Sequence, residues 1–207
     1  MKREYDDYLC KTYPKIFRDR HASMQVTCMC WGFDIGDGWF SIIDNACSII
    51  QGHIDHKRER RADALRYNRA LKRAIDKGEY EPLLKIYNWS REAAEMVSDA
   101  VECQMYRDVP EACTQVIATQ VKEKFGTLRF YVSGGDEYTY GVIRMAEAMS
   151  SRMCEQCGSP AETGGSGWIH TTCQPCIDKQ ENERAIHMDQ WNEKKAAAKK
   201  ESDNVEP

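Results

Sequence analysis

The sequence predicts an α+β protein: a mostly helical body, a small β-hairpin and a C-terminal four-cysteine zinc ribbon. Three observations point there. Apolar residues recur at three- and four-residue steps between residues 39 and 105, the signature of helices with one buried face. The period then drops towards two in "TQVIATQVKEKFGTLRFYVSGG", which is rich in Val, Ile, Thr, Phe and Tyr. Finally, two Cys-x-x-Cys pairs lie fifteen residues apart in "CEQCGSPAETGGSGWIHTTCQPC". The expected division is a helical body with hairpin over 1–152 (the hairpin at about 114–133), a zinc ribbon over 153–178 and a charged helical or disordered tail over 179–207.

Taken in order, residues 5–20 mix aromatics and charges around Pro14 and suit a short helix with an irregular end. In "GFDIGDGW" three glycines and two aspartates mark a turn-rich connection. Asp37 is placed to cap a helix opening at Gly38 or Trp39, because its carboxylate can accept from the unpaired amides of a first turn. Trp39, Ile42, Ile43, Ala46, Ile50, His53 and Ile54 form the buried stripe of that helix, and Gly78 is its natural stop. A second helix opens at Pro82, with Leu83, Tyr87, Ala94, Val97, Val101 and Met105 on one face, and ends before Pro110. In the hairpin Leu128, Phe130 and Val132 share one face, Arg129 and Tyr131 the other. A helix from Asp136 to Arg152 leads into the first cysteine pair, and the polar sequence after Cys176 reads as a solvated helix fraying into a tail.

Composition sets bounds. Of 207 residues, 42% are hydrophobic and 30% charged, as in an ordinary globular chain. The net charge of −4 means that the molecule as a whole does not attract polyanions, so any basic surface must be local. No segment has the 18 or so apolar residues of a membrane span, so no membrane partner is expected. The opening "MKREYDDYLCKTYPK" lacks the apolar core of a secretory signal. A reducing cytoplasm is therefore expected, where ten cysteines read as thiols and metal ligands rather than disulfides.

Cys154, Cys157, Cys173 and Cys176 carry the clearest chemistry. Two residues between paired cysteines let a tight turn present both sulfurs on one side, as two corners of a tetrahedron. The expected cofactor is one structural Zn²⁺, since four thiolates leave no position for water or substrate. A thioredoxin-type dithiol is the competing reading of "CQPC", but no βαβ unit surrounds it. His170 could replace a thiolate only if one of the four were missing.

The second feature is a basic stripe. Lys57, Arg58, Arg61, Arg66, Arg69, Lys72 and Arg73 fall on about half of a helical wheel, opposite Ala64, Tyr67, Leu71 and Ala74. Such a stripe can follow phosphates or dock on an acidic protein, although charged helix faces are commonly just solvated. "KEKFGTLRFYV" interleaves cations with aromatics that could stack bases, with strand core as the plainer account. Cys28 and Cys30, or His53 and His56, are weaker candidates for a second metal. Asp34, Asp37, Trp39 and His53 are the candidates for a small-molecule site. The sequence contains no P-loop, no Gly-x-Ser-x-Gly and no His-Glu-x-x-His, and Pro175 falls inside the second cysteine pair, unlike the zinc-deaminase pattern.

Together "GDGWFSIIDNACSII", "VKEKFGTLRFYVSGG", the pair Ala146-Glu147 and "CEQCGSP…GW…TTCQPC" resemble a family of uncharacterised proteins encoded by bacteriophages and prophages. The resemblance covers residues 28–176 in blocks. It implies a setting, the cytoplasm of an infected bacterium, and no activity. The function expected is that of a non-enzymatic zinc-binding protein that contacts nucleic acid or a host protein through the basic helix and the ribbon surface. The alternatives are a host-directed inhibitor without nucleic-acid contact, and a small enzyme.

Overall fold

A computed structural model of the chain describes residues 1–90 and 92–203, the last eight as backbone. The architecture is α+β. Its helices are α1 (Arg3–Thr12), α2 (Phe40–Lys77), α3 (Glu81–Ile86), α4 (Ala93–Glu102), α5 (Glu137–Ser150) and α6 (Gln174–Asp203). The strands are β1 (Phe33–Asp34), β2 (Ile117–Lys124), β3 (Thr127–Ser133), β4 (Thr163–Gly164) and β5 (His170–Thr171). No helix among the described residues is long and apolar enough to cross a membrane. Two compact units emerge: residues 1–47 with 117–207, and residues 48–116. The boundaries thus fall inside α2 and just before β2, whereas the sequence suggested a division at 152/153.

In the first unit β2 and β3 form the expected hairpin, antiparallel and in register at Val121↔Phe130 and Lys124↔Thr127. Its turn is Phe125-Gly126, both with positive φ (54° and 75°), as a two-residue type I′ connection demands. A third strand not expected from sequence, β1, pairs parallel to β2 at Phe33↔Val121. β3 is an outer strand, and α5 covers it with side-chain acceptors. The Ser150 hydroxyl accepts the Leu128 N–H at 2.8 Å, and Glu147 accepts that of Phe130 at 3.0 Å. Amides that would otherwise offer an open sheet edge are thereby satisfied. The helix expected from Asp136 forms as α5, with Asp136 as its cap, accepting from the Thr139 amide at 3.0 Å. Leu9, Ile16, Phe17, Phe33, Trp39, Ile43, Val121, Leu128 and Phe130 are buried core, Phe17 lying edge-on to Phe33 with centroids 5.0 Å apart.

The second unit is helical. Tyr67, Ala70, Leu71 and Ala74 of α2 form its core with Leu83 of α3 and Val97 and Ala100 of α4. Gly78, at φ 68°, ends α2 and returns its amide to the Ala74 carbonyl. The single helix expected from Pro82 onward is in fact two. Asn88 and Trp89 take left-handed φ of 59° and 51° and break it. The break lets α3 and α4 each lay an apolar face on the same stretch of α2, which one straight helix could not do.

Two smaller expectations change. Asp37 does not cap α2: it opens a short 3₁₀ turn whose cap residue is Gly36, and its carboxylate accepts the Lys2 backbone N–H at 2.7 Å and pairs with the Lys2 ammonium at 3.2 Å. The helix expected to fray after Cys176 instead continues as α6 to Asp203. The end of that expected tail, 204–207, lies outside the described residues.

Candidate metal centre

The first cysteine pair sits in a tight turn built from the backbone. The Cys154 amide donates to the Ser159 carbonyl at 2.7 Å, and the Gly158 amide donates back to the Cys154 carbonyl at 2.9 Å. Gly158 closes the turn at φ 79°, where a side chain would be strained. The second pair lies at the start of α6, the Cys176 amide donating to the Cys173 carbonyl at 3.0 Å. Between the pairs the chain makes a small hairpin: β4 pairs antiparallel with β5 at Thr163↔Thr171.

This arrangement brings the Sγ atoms of Cys154, Cys157, Cys173 and Cys176 within 4.8 Å of one another, so they can hold one metal ion. A tetrahedron with metal–sulfur bonds of about 2.3 Å has sulfur–sulfur edges of about 3.8 Å. Cys157 and Cys173 are already 3.5 Å apart. All ten cysteines of the chain are free thiols. The Ser159 hydroxyl and backbone amide favour the Cys157 thiolate and bring that thiol down to about 6. Desolvation, followed by the neighbouring thiols Cys157, Cys173 and Cys154, pushes Cys176 up to about 12. One sulfur is thus ready to ionise while another resists a second negative charge nearby, an opposition that a divalent cation removes. His170 stays outside the set, on β5, with its Nδ1 buried and unpaired among the described residues.

The "GDGW" turn turns out to belong to this centre. The Gly36 amide donates to the Glu155 carboxylate at 2.8 Å, and the Gly38 amide to the Glu155 carbonyl at 2.8 Å. A methyl group on Gly38 would lie 2.2 Å from the Cys154 carbonyl oxygen and 2.4 Å from the Gly158 nitrogen. The contact is therefore backbone against backbone, and only glycine fits. Trp39 is fully buried and donates its indole N–H to the Met153 carbonyl at 2.8 Å. On the sheet side, the Thr171 hydroxyl donates to the Gly126 carbonyl at 2.5 Å, joining the β4–β5 hairpin to the β2–β3 turn. Such long-range partners are invisible in spacing alone: the glycines of residues 32–38 mark a turn, not what it meets.

The remaining candidates separate clearly. With Trp39 in the core and Asp37 held by Lys2, these two do not present themselves to a ligand. Among the described residues no third donor joins Cys28 and Cys30, or His53 and His56, in a metal-sized group. Cys47 is buried, and burial raises its thiol well above the ordinary range. Phe130 is core, while Phe125 and Tyr131 are exposed.

The basic stripe is divided in use. Arg58 donates to the Gln115 side chain at 2.9 Å and Arg61 to the Pro110 carbonyl, so both hold the segment that follows α4. Lys57 is half-buried and also engaged. Arg66 pairs with Asp63 at 2.5 Å and Lys72 with Asp76 at 2.8 Å, both pairs exposed. Arg69 and Arg73 are exposed, and their side chains have no bonded partner among the described residues.

Fold and site together define an α+β protein with a four-cysteine centre able to hold a metal ion. Comparison with known proteins finds no family model, curated protein or solved structure that matches the chain.

Proposed function

We propose that this chain is a non-catalytic binding protein that contacts the phosphate backbone of nucleic acid, its first unit stapled by one structural zinc ion. Zinc is the ion favoured by four thiolates at tetrahedral spacing, and a sphere closed by four sulfurs leaves no position for a reactant. The nucleic-acid reading is carried by the unneutralised cations in the second half of α2, Arg69 and Arg73 foremost, in a chain whose net charge is −4. Local positive charge of this sort is what a phosphate backbone selects, and its binding is read out by salt. The resemblance to phage proteins supplies the setting we propose, the cytoplasm of an infected bacterium.

The test is fluorescence anisotropy of labelled DNA and RNA oligonucleotides titrated with the full, zinc-loaded chain at several salt concentrations. Binding at low salt that weakens linearly on a log–log salt plot is expected. No binding of either polymer at about 50 mM salt removes the nucleic-acid reading. Elemental analysis is expected to find one zinc per chain, and a value far below one in protein never exposed to chelators overturns the staple.

A further inference from the structure

The second unit contains a groove that a simple helical stripe does not account for. It encloses about 1090 Å³ between the last turns of α2 and the helix α3. Six cations line it: Arg66, Arg69, Lys72, Arg73 and Lys77 from α2, and Lys85 from α3. Asp76 is the one carboxylate among the lining residues, and Ala70, Pro82 and Ile86 give the groove an apolar floor. The ion pairs made by Arg66 and Lys72 are solvent-exposed, a class of pair that is weak and screened by salt. Arg69, Arg73, Lys77 and Lys85 have no bonded carboxylate among the described residues.

A merely solvated face needs neither feature that distinguishes this place. The positive charge comes from two separate helices and converges on one concavity, and the base of that concavity is apolar. Cations gathered in this way repel one another until an anion lies between them.

We infer that the α2–α3 groove binds a single nucleic-acid strand, with phosphates against the cationic walls and sugar or base faces against the apolar floor. The inference rests on the nucleic-acid reading above and narrows it to one groove and one polymer form. The bases of a duplex are stacked inside it and cannot lie against an apolar floor of this kind, whereas a single strand can turn its base and sugar faces towards Ala70, Pro82 and Ile86. A floor without hydrogen-bonding groups tolerates any base, and recognition of this kind is insensitive to sequence. From Arg66 to Lys77 the α2 wall is about 16 Å long, enough for several phosphates in a row.

Lys85 gives the decisive test, because it lies on α3, outside the α2 stripe. The full zinc-loaded chain is titrated into a labelled single strand of about 12 nucleotides and into the matching duplex, with the wild type, Lys85→Glu, Lys85→Gln and the exposed Arg60→Glu as control. The single strand is expected to bind about tenfold tighter than the duplex. Lys85→Glu is expected to weaken it about fivefold, and Lys85→Gln to reduce the salt slope by about 0.7, the value for one lost phosphate contact. Arg60→Glu is expected to stay within about twofold of wild type. Thermal melts of the Lys85 variants show whether a loss is one of folding, and Lys85→Gln carries the test if Lys85→Glu unfolds. Equal or tighter duplex binding, undiminished binding by both Lys85 variants, or displacement of the strand by an equimolar nucleoside triphosphate overturns the groove assignment. If wild type binds neither strand nor duplex, the broader nucleic-acid reading falls with it, which is a different result from binding that survives Lys85 substitution.

Discussion

The Trp39 indole donates its N–H to the carbonyl of Met153 at 2.8 Å, fastening the start of α2 to the residue before the first cysteine of the candidate metal centre. One residue earlier Gly38 lies against the cysteine turn itself, and two further back Gly36 meets Glu155. The metal turn is therefore as much a part of the first unit's core as of the ribbon. Replacing Trp39 by Phe removes this bond, leaves the Met153 carbonyl without its indole donor and opens space in the core. A loss of about 2 kcal/mol in urea unfolding is expected, with zinc content unchanged. Gly38→Ala is a harsher change, because the added methyl meets backbone that cannot swing away. A cost of about 3 kcal/mol or more is expected, together with reduced zinc content in the purified protein.

Metal removal should act well beyond the ribbon for the same reason. Folding free energy supplied by a four-thiolate site is on the order of 10–16 kcal/mol in small zinc peptides. With a metal held by the four cysteines, that energy would also support the "GDGW" turn and, through the Thr171 hydroxyl on the Gly126 carbonyl, the tip of the β2–β3 hairpin. Chelation, or Cys154→Ser, is expected to raise amide exchange in residues 33–47 and 117–133 as well as 150–177. The core around Leu71, Leu83 and Val97 should keep its protection. Loss confined to 153–178 would show that the ribbon is a separate module.

Arg20 and Asp6 supply an acid-sensitive contact. The guanidinium binds the Asp6 carboxylate at 2.5 and 3.0 Å and donates to the Met29 and Cys30 carbonyls at 3.2 Å. Burial alone would raise the Asp6 carboxyl, yet hydrogen bonds from Arg20 and Cys10, with the Arg20 charge, bring it below its ordinary value. A carboxyl whose folded pKa is depressed contributes stability that is complete above its unfolded value, near 3.8, and is lost as pH falls through the lower folded value. Acid unfolding of wild type should therefore be steeper below about pH 4 than that of Asp6→Asn. Arg20→Ala should cost about 2–3 kcal/mol at neutral pH, since it leaves a half-buried carboxylate and two carbonyls without their donor.

How much of this the sequence discloses depends on the range of the interaction. The four-cysteine cluster is readable because a two-residue spacing within each pair is a local geometric demand, and the β2–β3 hairpin is readable from Gly126 and the flanking β-branched residues. The break at Asn88 and Trp89 is only half legible, because Asn tolerates the left-handed conformation that ends a helix but Trp89 gives no such signal, and the reason for the turn is Leu83 and Val97 sharing one core. The same holds for Glu155 holding Gly36, and for Ser150 and Glu147 capping β3. Each depends on a partner brought close by the fold. The basic stripe shows both limits. Its position on the wheel is correct, while its division into a structural half at Arg58 and Arg61 and a free half at Arg69 and Arg73 becomes visible only with the segment after α4 in place.

That division makes a prediction that separates stability from binding. Arg58→Ala removes the donor to Gln115, and Arg61→Ala the donor to the Pro110 carbonyl, so each should cost about 1–2 kcal/mol in denaturant unfolding. Neither side chain reaches the α2–α3 groove, so strand affinity and salt slope should stay at wild-type values. Arg69→Ala and Arg73→Ala should do the reverse. Their side chains make no bond among the described residues, so stability should move by less than about 0.5 kcal/mol while affinity falls. Finding the losses exchanged, with binding lost at Arg58 and stability lost at Arg73, would place the phosphate surface at the other end of the helix.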